Sequence, residues 1–109
     1  MLSDLKLPAD VSKYKETKVF NATTVPKGLL KDHATKADVW GKLQVHVGTV
    51  MYVDVASAKE REVTSGSFQI IEPEALHFIQ PSEEAEFHVE FYRGDTEETG
   101  SPHKGKSLF

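Results

Sequence analysis

The side chains in this chain best suited to chemistry are histidines. Four of the five, His33, His46, His77 and His88, fall in or beside segments that read as strands, and His103 lies near the C-terminus. Neutral imidazole is a common metal ligand, and a small barrel gathers ligands from several strands. Spacing alone leaves open which rings meet. His33 stands before Ala34-Thr35-Lys36, and His77 follows the proline turn Glu72-Pro73-Glu74-Ala75. Both therefore sit where a strand meets a turn, at the open end of a small β fold. His46 and His88 sit within strands, where a lone histidine is normally a surface or hydrogen-bonded residue. His33 and His77 are accordingly the candidate ligands for a divalent transition metal (zinc, iron, nickel or manganese). His88, Glu72 and Glu74 are further donors, and water fills what remains. The competing reading is a polar pocket in which both rings hydrogen-bond around an organic ligand. Lys36 and Lys42 are candidate contacts for an oxyanion, and Trp40 is either a packing residue or a platform for a ligand.

The elements that must position these residues are strands. Between Trp40 and Val55 the sequence alternates, with Leu43, Val45 and Val47 on one face and Lys42, Gln44 and His46 on the other. Period-two alternation is the mark of a strand with one face on a core. Gly48 interrupts the run, and a second alternating run through Val50 and Tyr52 predicts a hairpin across it. Lys18 to Ala22, Gly28 to His33, Phe68 to Ile71, Leu76 to Ile79 and Ala85 to Tyr92 also read as strands. Phe87, Val89 and Phe91 mark the core face of the last. Ala56 to Glu62 reads as a polar loop. No stretch has a 3.6-residue stripe long enough for a full helix. The expected fold is all-β, a single-domain sandwich or barrel over residues 18–92, with an N-terminal arm over 1–17 and a loose tail over 93–109.

Composition bounds the function. With 109 residues there is room for one domain. Without cysteine there is no thiolate nucleophile, disulfide or cysteine zinc knuckle. A net charge of −4 and the lack of a dense Lys/Arg cluster argue against a nucleic-acid partner. No segment approaches the roughly 20 apolar residues needed to cross a bilayer. No start resembling a signal peptide is present, so the cytoplasm is the expected location. The tripeptides Asn21-Ala22-Thr23 and Arg93-Gly94-Asp95 read as chance in that setting.

Pro73 followed by His77, together with Gly48, resembles motifs of the cupins, although the usual first-motif pair of histidines and glutamate is absent. Gly41, beside Trp40, stands about where the glutamate would be. Lys31-Asp32-His33-Ala34-Thr35-Lys36, Val39-Trp40-Gly41-Lys42-Leu43-Gln44-Val45, Ile71 through His77 and Phe87 through Tyr92 resemble the cupin-like domain that opens the tellurite-resistance protein TehB and stands alone in YeaR-type proteins. The resemblance covers about residues 18–92. It implies a cupin-like double-stranded β-helix with His33 and His77 at the barrel mouth, acting in a stress or oxyanion response. It does not carry methyl transfer with it, since no Gly-rich loop after a strand opens a methyltransferase domain in these residues. Three readings follow: a module binding a metal or small ligand, a metal-dependent cupin enzyme (oxygenase or isomerase), or an accessory subunit that pairs through a strand edge. A homodimer is compatible with each.

Overall fold

The computed structural model describes residues 1–94, a two-sheet antiparallel β-sandwich. Its strands are β1 (Val11–Glu16), β2 (Phe20–Asn21), β3 (Trp40–Val47), β4 (Thr49–Asp54), β5 (Lys59–Thr64), β6 (Phe68–Ile71), β7 (His77–Pro81) and β8 (Glu86–Gly94). One sheet runs β1-β8-β3-β6, with β2 continuing the β1 side of β8; the other runs β5-β4-β7. Among the described residues the only helices are short 3-10 turns, Leu2–Asp4 and Lys27–Leu30. The all-β expectation therefore holds.

The core lies between the sheets. Leu43 and Val45 of β3 meet Phe87, Val89 and Phe91 of β8 on the inner face, opposite Val50, Tyr52, Val63 and Ile79 from the second sheet. All nine are buried. Val47 breaks the expected pattern and is 41% exposed. The register between β3 and β8 shifts between Val45 and Val47, and such an irregularity moves the next side chain off the core phase.

Four further expectations are corrected. The runs on either side of Gly48 do not pair as a hairpin, because β3 belongs to the five-stranded sheet and β4 to the three-stranded one. Gly48 is the point where the chain crosses between sheets. Its φ of +70° and the closeness of Ser82 Oγ, 2.8 Å from where a Cβ would sit, explain why glycine is needed. Gly28 to His33 is not a strand. Pro26 leads into the 3-10 turn instead, which buries Leu29. The polar loop expected over 56–62 contains the start of β5, an edge strand whose one buried side chain is Val63. Within the expected N-terminal arm, Val11–Glu16 forms β1 along the outer edge of β8. Both edge strands are mainly polar and exposed, so neither shows a buried period. The expected tail lies outside the described residues, except for Arg93 and Gly94, which complete β8.

The shift at Val47 yields a direct test. Leu43→Ala should cost about 2–5 kcal/mol of stability, whereas Val47→Ala should stay within about 0.5 kcal/mol. Urea unfolding of the two variants measures this, and equal losses would contradict the register.

Candidate functional site

His33 and His77, far apart in sequence, meet in space. Each backbone N–H donates to the other's carbonyl, His33 to His77 at 2.9 Å and His77 to His33 at 2.8 Å. This two-residue antiparallel bridge ties the segment after the 3-10 turn to the first residue of β7. The proline turn before β7 is anchored to the same segment, because Glu74 N–H donates to the Thr35 carbonyl. Thr35 is itself buried and donates its hydroxyl to Val39 at 2.7 Å. The two rings consequently sit 4.2 Å apart between centroids, and Tyr52 lies 5.2 Å from His77.

The hydrogen bonds fix which nitrogen of each neutral ring carries the proton. Nδ1 of His33 faces the Lys31 carbonyl at 2.9 Å, and Nδ1 of His77 faces the Ala75 carbonyl at 2.7 Å. A carbonyl only accepts, so both rings are protonated at Nδ1 and hold their lone pair on Nε2. Burial keeps them neutral. It lowers the His33 pKa against the opposing pull of the Lys31 carbonyl and the Asp32 charge. His77 is 2% exposed, and burial takes it down to about 4, with repulsion from His33 adding to the effect. Burial, with Asp54 and Glu72 nearby, also holds the Tyr52 hydroxyl protonated. His33 and His77 line a small cavity of about 20 Å³, whose other walls include Leu29, Leu43, Ile79 and Phe91.

The remaining sequence candidates lie elsewhere. Glu72 and Glu74 are exposed at the proline turn, and Glu74 takes a φ of 64° there. Lys36 accepts a backbone bond from Val39 in the turn before β3. Trp40 and Lys42 alternate with the inward Gly41 and Leu43, so they occupy the outer face of the larger sheet. There Lys42 Nζ lies 4.4 Å from the centre of the Phe68 ring. His88 is also on that outer face and is not brought to the His33–His77 pair.

The outer face carries a second polar group that the sequence did not reveal. His46 Nε2 is 2.7 Å from His88 Nδ1, and His88 Nε2 is 3.0 Å from Glu90 Oε2. Tyr92 donates its hydroxyl to the other Glu90 oxygen at 2.6 Å, and Gln44 approaches at 3.3 Å. Burial alone would raise the Glu90 pKa, but the bonds from Tyr92 and His88, the Lys13 charge and Gln44 together pull it down to about 2. With Glu90 ionised and accepting, neutral His88 donates from Nε2 and accepts at Nδ1 from His46. The alternation His88-x-Glu90-x-Tyr92 beside Gln44-x-His46 was visible in sequence. That β3 and β8 are neighbours was not.

Comparison with known proteins agrees with this fold. No curated protein matches the chain. A protein from E. coli (strain K12), solved by structural genomics, superposes with a TM-score of 0.79 at 24% identity, covering 84% of this chain and 98% of its own. TehB from Haemophilus influenzae superposes with a TM-score of 0.72 at 26% identity over 79% of this chain, which spans only 32% of that protein. Residues 15–89 match the family model of the TehB-like domain, and the chain belongs to that family.

Proposed function

We propose that this domain is a binding module of the tellurite-resistance type, holding a single divalent transition metal ion between His33 and His77. The observation that carries the reading is the geometry of the pair. The rings are 4.2 Å apart, and each is oriented through Nδ1 by a backbone carbonyl, which puts the coordinating electron pair on Nε2. Metal-binding histidines are oriented by such a bond from their other nitrogen. Size supports an ion over an organic ligand. The cavity of about 20 Å³ has room for one water or one ion, whereas small-molecule pockets run to roughly 300–1,000 Å³.

Charge sets a further condition. Two neutral imidazoles do not balance a dication, and the surrounding walls are mainly apolar, so an anionic ligand has to accompany the ion. A small oxyanion reaching in from the more exposed His33 side meets that need and fits the family's association with tellurite resistance. Binding rather than turnover is favoured because no third His, Cys, Asp or Glu among the described residues joins the pair within coordinating reach.

Calorimetric titration with zinc chloride tests the reading. His33→Ala and His77→Ala should each abolish the same binding event while leaving the β-rich circular dichroism spectrum in place. Retention of every wild-type binding event in both variants would refute it.

Buried His77 also fixes how stability responds to acid. Below the ordinary histidine pKa of about 6.5, the unfolded chain takes up a proton that folded His77 refuses until about pH 4. Its contribution is full above pH 6.5 and is lost as pH falls toward 4. Between pH 7 and pH 5 the loss should be on the order of 2 kcal/mol, read by urea unfolding. His77→Gln should flatten that slope; an unchanged slope would show that His77 is not the group responsible.

A further inference from the structure

We infer that the outer face of the five-stranded sheet carries a divalent-cation site, separate from the buried imidazole pair, formed by Glu16, His88 and Glu90. One ligand atom from each residue lies within 4.8 Å of the others, so small side-chain movements bring all three onto a single ion. The donors come from neighbouring strands, Glu16 from β1 and His88 with Glu90 from β8. In the β1–β8 register Glu16 is directly opposite Glu90. Like charges so placed repel, so this position favours a cation. Lys13 answers that demand in the structure. Its ammonium is 2.7 Å from Glu16 Oε1 and 3.9 Å from Glu90 Oε2. Its side chain is 45% exposed, so it can swing aside for a metal ion.

The supporting groups suit a metal. Two carboxylates balance a dication, which the buried pair cannot do, and one imidazole adds the nitrogen donor favoured by zinc-like ions. Tyr92 holds the far oxygen of Glu90 at 2.6 Å, and His46 contacts His88 Nδ1 at 2.7 Å. Such partners orient metal ligands. Coordination through His88 Nε2 requires a change of tautomer. The Nε2 proton leaves to solvent, Nδ1 takes the proton held by His46 Nε2, and His46 takes one from solvent at Nδ1. No net proton is lost, and the His46–His88 bond survives with its direction reversed.

Calorimetric titration of the full chain with zinc chloride near pH 7.5 tests the site. His33→Ala should keep this binding event, since the buried pair is not part of it. Glu16→Gln, a change at an exposed position, and His88→Ala should each weaken it at least about tenfold. Lys13→Met, which removes the competing cation, should tighten it severalfold. Loss of all zinc binding in folded His33→Ala, or wild-type affinity at every site in both Glu16→Gln and His88→Ala, would overturn the inference. Because the two sites respond to different substitutions, failure of one leaves the other separately measured.

Discussion

The reciprocal backbone bridge between His33 and His77 is the constraint on which the candidate site depends. It brings a segment that is neither helix nor strand onto the first residue of β7 and places two imidazoles side by side between the sheets. Buried polar groups must find partners, and each ring finds one two residues back along its own chain, at Lys31 or Ala75. The carbonyl that satisfies a ring also selects its tautomer. Folding and chemical poise are thus set by the same bonds. The proline turn and Thr35 hold this arrangement from both sides.

The sheet's two faces divide the chemistry by charge. Inside, the rings are neutral and most of their surroundings are aliphatic or aromatic. Outside, Glu90 is held ionised among Tyr92, His88, Lys13 and Gln44. Strand alternation produces the division: Leu43 and Val45 point inward while Lys42 and Gln44 point outward, and Val89 and Phe91 alternate with His88 and Glu90. A domain of this size therefore presents two polar environments, one neutral and one anionic.

Much of this was legible in the sequence, for physical reasons that can be named. Strands with one buried face announce themselves by period two, and β3, β4 and β8 were read that way. The meeting of His33 and His77 followed from their places beside turns and from the family resemblance. What was not legible depended on tertiary pairing. β1 and β5 are edge strands with little to bury, so their polar sequences looked like arm and loop. The crossing at Gly48 resembled a hairpin because local sequence does not say which sheet a strand joins. Val47 left the core through a register shift that only its partner β8 reveals. Glu16, Glu90, Tyr92 and His46 escaped notice as a group for the same reason, since their closeness is a product of strand order.

The central claim, that His33 and His77 are neutral rings protonated at Nδ1 with coordinating pairs on Nε2, is most directly tested by a long-range proton–nitrogen NMR spectrum of the imidazoles at neutral pH. The account predicts nitrogen shifts of the neutral Nδ1–H tautomer for both residues, with the Nε2 signals of both moving on addition of zinc. Imidazolium shifts, an Nε2–H tautomer, or Nε2 signals indifferent to zinc would contradict it.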